Sequence, residues 1–77
     1  MALTQLRRDS EAIAAYQKAI DLNPSDPLAW ANLAWALEEF GRYNQAIEAY
    51  DQAIQLKPDF TPAIESRQQL IQQFGRY

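Results

Sequence analysis

Displaced by 34 residues, the chain matches itself: of the 43 residue pairs that then overlap, 16 are identical. Ala12-Ile13 returns as Ala46-Ile47, Ala15-Tyr16 as Ala49-Tyr50, and Ala19-Ile20 as Ala53-Ile54. Leu22 and Pro24 return as Leu56 and Pro58, and Phe40-Gly41-Arg42-Tyr43 reappears unchanged as Phe74-Gly75-Arg76-Tyr77. A fixed period of this length means that one small structural unit is repeated and stacked, each copy burying the apolar face of its neighbour.

The unit is helical. Ala12, Tyr16, Ala19 and Ile20 fall at i, i+4, i+7 and i+8, the spacing of one helix face, and Ala46, Tyr50, Ala53 and Ile54 repeat it. Pro24, Pro27, Pro58 and Pro62 lie between the periodic segments, where helices stop or start. Gly41 follows the apolar Phe40 and suits a C-terminal cap with positive φ. These signals predict helices over about 10–22, 27–40, 44–56 and 61–74, with a helical fragment over about 2–7. Short loops make successive helices antiparallel. The fold class is therefore all-α, a single domain over 1–77, divided into a partial repeat at 1–26, a full repeat at 27–60 and a capping helix at 61–77.

Small residues permit close helix approach and large ones fill the seams. Ala12, Ala19, Ala46 and Ala53 are expected at the close approaches, and Tyr16, Trp30, Leu33, Leu37 and Tyr50 in the seams. The helix at 27–40 is apolar nearly all round, as a central element must be. At 61–74, Arg67 and Gln68 stand where that helix has Leu33 and Ala34, and Gln69, Gln72 and Gln73 follow, while Ala63, Ile64, Leu70, Ile71 and Phe74 keep one apolar face. A helix of that kind closes a stack with a polar outer face.

The N-terminal end has two readings. Asp9 or Ser10 is an adequate N-cap for a separate helix. Yet Arg7 occupies the place of the turn glycine Gly41, and residues 2–22 hold neither Gly nor Pro, so they suit one continuous helix equally. Met1 falls in the middle of an expected first helix, which leaves only Leu3 and Leu6 to cover Ile13 and Ile20. Those four residues are the candidates for self-association, by edge stacking or by a helix swap between copies.

A period of 34 with two helices resembles the tetratricopeptide repeat family, whose pattern runs Trp, Leu-Gly, Tyr, then Ala, an aromatic and Pro. Trp30, Leu33-Ala34, Leu37, Ala46, Tyr50, Ala53 and Pro58 stand at the matching spacings, with Ala34 for Gly and Leu37 for Tyr as size-conserving departures. The resemblance covers the whole chain. It implies a short right-handed α-α superhelix whose concave face, lined by the first helix of each pair, holds a peptide or a partner protein. On the central helix that stripe is Leu28, Ala31, Asn32, Trp35, Glu38 and Glu39. The capping helix adds Glu65, Ser66, Gln69, Gln72 and Gln73, and the N-terminal fragment Thr4 and Gln5. Some members grip acidic chaperone tails with Lys, Arg and Asn in this groove. Only Asn32 is of that kind here, and the acids Glu38, Glu39 and Glu65 make a neutral or basic, partly apolar peptide the expected ligand.

Composition narrows the chemistry. There is no Cys and no His, which removes disulfides, thiolate chemistry and the usual zinc ligands. The 7 Lys and Arg are scattered against 10 Asp and Glu, a poor match for a phosphate backbone. No apolar run reaches membrane-spanning length and no signal peptide pattern opens the chain, so a cytoplasmic setting is expected. Glu38 and Glu39, adjacent on a helix, point in different directions and cannot work as an acid/base pair. No cofactor, metal site or catalytic constellation is expected.

Overall fold

In the computed structural model the backbone is described for residues 2–74, and the side chains for Arg8 and residues 10–74. Four helices follow one another: α1 (Ala2–Leu22), α2 (Pro27–Glu39), α3 (Tyr43–Leu56) and α4 (Thr61–Phe74). Each packs on the next in sequence, and α2–α3 is the most extensive pairing. No strand occurs among the described residues.

The turns between the helices are short and locally specified. Asp26 caps α2: its carboxylate accepts from the Leu28 N–H at 3.0 Å, and Pro27 takes the first helical position, where no N–H is needed. The Trp30 indole N–H donates back to the Pro24 carbonyl at 3.0 Å, tying the preceding turn to the helix it starts. At the other end of α2 the Arg42 N–H reaches the Leu37 carbonyl at 2.8 Å and the Gly41 N–H the Glu38 carbonyl at 3.1 Å. Gly41 sits at φ 81°, the left-handed conformation this helix stop requires.

Residues 2–7 do not form a separate fragment. They belong to α1, a single helix of 21 residues, so the two-helix reading of this end is corrected in favour of the continuous one. The reason lies at residue 7. Gly41 supplies positive φ and turns the chain, whereas Arg7 has no such freedom and propagates the helix. Ser10 is consequently a mid-helix residue and not a cap.

The core lies between α2 and its neighbours. Ala29, Leu33, Ala34 and Leu37 of α2 meet Ala46, Ile47, Ala49, Tyr50 and Ala53 of α3, with Ile20 closing from α1 and Ala63 and Leu70 from α4. Ala34, Ala46, Ile47 and Ala53 are wholly buried, so the small-residue seam between α2 and α3 is as tight as their size permits. Trp30 and Tyr16 are only half-buried at its edge. Ala12 and Ala19 depart from expectation: Ala12 is half-buried and Ala19 exposed, because no helix covers that side of α1 among the described residues.

On α4, Gln68, Gln69, Gln72 and Gln73 are exposed, giving the polar outer face. Arg67 does not join them; its guanidinium turns to α3 and pairs with Asp51. Phe74 stacks on Tyr43, ring centroids 3.8 Å apart and planes inclined by 15°.

Candidate functional site

The side of α2 turned away from its core stripe carries the most exposed aromatic among the described residues. Trp35 is 61% exposed and Leu28, two turns before it, 56%. The α2 seam is filled from the other side by Leu33 and Leu37, so nothing in the core needs either side chain. Between α2 and α4 they open onto a hollow of about 430 Å³. Leu28, Ala31, Asn32 and Trp35 form one wall, and Phe60, Ala63 and Ser66 contribute to the other. Pro58 and Pro62 bracket Phe60 and hold the turn between α3 and α4, and the Lys57 ammonium lies 5.6 Å from the Phe60 ring centroid. A second hollow, about 280 Å³, lies on the other flank of Trp35, between α1 and α2. Ala12 and Tyr16 of α1 face Ala36, Glu39 and Phe40 across it.

Tyr50 closes the floor of the first hollow and is 2% exposed. Its hydroxyl donates to the Glu38 carboxylate at 2.9 Å. The Tyr50 phenol is pushed up to about 12, chiefly by burial, which disfavours phenolate; the Ser66 hydroxyl works against this, and the Glu38 carboxylate adds to it. Glu38 is therefore engaged within the fold and does not face a ligand freely.

Of the residues expected to bind a partner, the structure brings Leu28, Ala31, Asn32 and Trp35 together on one wall. Glu39 lies on the second hollow, and Glu65 and Gln69 are exposed on α4 without lining either. Phe60 and Ala63 are not among the groove residues expected from the sequence. An aromatic between two prolines in an inter-helix turn is a signal that could have found Phe60. Of the self-association candidates, Ile20 is buried at 8% and Ile13 is half-buried against the core, so neither is a free edge. The side chains of Leu3, Leu6, Thr4 and Gln5 lie outside the described residues.

A larger hollow, about 610 Å³, is on the opposite side of α2, between α1 and α3. Its rim is mostly amide and charged, with Gln17, Gln45, Gln52 and Gln55 among them, and it lacks an exposed aromatic. Among the described residues no group of His, Cys, Asp or Glu is placed to hold a metal ion, and no helix is long and apolar enough to cross a membrane.

Antiparallel helix pairs stacked in register, with a shallow groove along the first helices, define a helical-repeat protein. The chain belongs to the tetratricopeptide repeat family, whose model matches residues 2–59. Such repeats generally mediate protein–protein interaction and are typically non-catalytic. No curated protein matches the chain.

Proposed function

We propose that the protein is a non-catalytic interaction module that holds a neutral or basic, partly apolar peptide, or a partner segment of that kind, along the groove between α2 and α4. The observation that carries this reading is Trp35, a large aromatic left 61% exposed on a rigid helix between two hollows. A Trp held this way loses little freedom on binding and serves as an anchor. Leu28, Phe60 and Ala63 offer apolar contact beside it, and Asn32 offers one amide to a peptide backbone. Glu39 at the edge of the second hollow favours a cationic side chain next to the anchor.

The test is a fluorescence anisotropy titration with two short labelled peptides. One carries paired Leu and Lys residues; the other replaces each Lys by Glu. The first is expected to bind and the second to bind at least about tenfold more weakly. Trp35→Ala, which removes an exposed side chain and leaves the core intact, is expected to weaken the first by about tenfold or more. Equal binding by the variant would refute the groove assignment.

A further inference from the structure

The alanine stripe on the open side of α1 is the stripe that α3 buries. Ala46, Ala49 and Ala53 of α3 are 0%, 4% and 0% exposed. Their counterparts one period earlier are Ala12, Ala15 and Ala19, of which Ala12 is half-buried and the other two exposed. Tyr50, Ile47 and Ile54 lie to one side of the α3 stripe, and the matching Tyr16, Ile13 and Ile20 of α1 pack on the core beside α2. The side of α1 left open is thus the one that, on α3, receives a close-packed helix. Because α1 runs unbroken from Ala2 to Leu22, its own N-terminal turns extend along the helix axis and cannot fold back over that side. Leu22, at the end of the same side, is 79% exposed.

Two further observations select the occupant. The opposite end of the stack cannot supply it, since α4 presents Glu65, Gln68, Gln69, Gln72 and Gln73 outward, a polar face that disfavours head-to-tail stacking onto alanines. Of the charges along the open side, Glu11 and Lys18 complement each other, while Arg8, four residues before Ala12, lies on the stripe itself and meets Leu22 across a twofold axis at Ala15. Glu11 and Lys18, both exposed, are seven residues apart and therefore share one edge of α1. At the same two places the covered helix α3 has the uncharged Gln45 and Gln52. In an antiparallel pair of identical helices related by a twofold axis at Ala15, each edge meets the same edge of the other copy. Glu11 precedes Ala15 by four residues and Lys18 follows it by three. At about 1.5 Å rise per residue they come within roughly 1.5 Å of the same height. Each Glu11 then faces the Lys18 of the second copy, twice per pair.

We infer that the protein forms a closed twofold dimer through antiparallel α1–α1 packing. Ala12, Ala15 and Ala19 form the seam, and Glu11–Lys18 pairs set the register. The partner helix plays for α1 the part that α2 plays for α3. The hollow of Ala12, Tyr16, Trp35, Ala36, Glu39 and Phe40 then lies at the junction of the two copies, and the α2–α4 groove stays open on each.

Sedimentation equilibrium over a concentration series tests this. The full chain is expected at twice its 8.8 kDa mass. Ala15→Glu, at an exposed position with no core contact, is expected to give the single-chain mass with unchanged helical circular dichroism. Glu11→Lys and Lys18→Glu are each expected to weaken association by about tenfold. The double exchange, which restores opposite charges across the axis, is expected to return it to the parent strength. A single-chain mass up to millimolar concentration would overturn the inference. So would a dimer indifferent to Ala15→Glu, a double exchange that fails to rescue, or a mass that keeps growing with concentration, as head-to-tail stacking requires.

Discussion

Helices α1 and α3 carry the same apolar motif in the same register, yet they are different objects. In α3 the motif is enclosed by α2 on one side and α4 on the other, and five of its residues are buried. In α1 only α2 is present among the described residues, and none of the five corresponding residues, Ala12, Ile13, Ala15, Tyr16 and Ala19, is buried. An alanine stripe is thus a close approach or an open face according to its neighbours, not its sequence. What a repeat specifies is a set of faces with fixed partners; which faces find a partner is decided one level up.

Paired substitutions make the sharpest break in that comparison. Ile47 has no exposed surface, whereas Ile13, one period earlier, is half-buried. Ile47→Ala is expected to cost about 3 kcal/mol or more, through lost transfer energy and the cavity left behind. Ile13→Ala at the matching position is expected to cost about 1 kcal/mol, since water already reaches part of that side chain. Urea unfolding of both variants at one low protein concentration measures the ratio. Equal costs would mean that α1 is as enclosed as α3 in solution.

Tyr50 gives the next effect in size. Its folded-state value of about 12 lies above the ordinary tyrosine value of 10.0. A raised value means that the folded state holds the phenol proton more tightly than the unfolded chain. The stabilisation is fully present below about pH 10 and is lost as pH climbs toward 12. Over that window the unfolding free energy is expected to fall by roughly 2–3 kcal/mol, an order-of-magnitude figure for a two-unit difference. Tyr50→Phe is expected to remove this part of the alkaline slope. A slope unchanged by the substitution would show that other groups carry it.

Much of this architecture is legible in the sequence, for physical reasons that single residues make plain. Pro24, Pro27, Pro58 and Pro62, with Gly41, act through backbone geometry alone, so helix count and boundaries follow from local rules and agree with the structure to within about a residue at α2, α3 and α4. The groove wall was readable too, because Trp35 falls off the stripe set by Trp30, Leu33 and Leu37 on the same helix. Phe60 and Ala63 were harder, since they depend on how α4 sits across α2, a matter of tertiary packing. Arg67 reads as a surface charge until Asp51, sixteen residues earlier, is seen to lie within reach. Glu38 reads as a groove residue until the Tyr50 hydroxyl claims it.

The smallest expected effect concerns the one residue that separates the two helices' fates. Gly41 and Arg7 occupy the same place in successive repeats, one ending a helix and the other continuing it. Open space surrounds the position where a side chain on Gly41 would begin, with nothing within 4 Å, so any cost of filling it is purely conformational. At φ +81° an added Cβ strains the backbone, and Gly41→Ala is expected to lose about 1 kcal/mol. Gly41→Arg, which copies the N-terminal repeat, is expected to lose a similar amount, because strain begins at Cβ and the rest of the side chain reaches solvent. Both are expected to leave the α2–α3 hairpin closed, held by the buried seam of Leu33, Ala34, Leu37, Ala46 and Ile47. Helical circular dichroism and urea midpoints of the two variants measure this. If Gly41→Arg instead raised helical content and fused α2 to α3, the turn would owe its existence to one glycine and the seam would be secondary. If the hairpin survives, an arginine at the turn is not enough by itself to continue a helix, and the continuity of α1 needs a second condition besides Arg7.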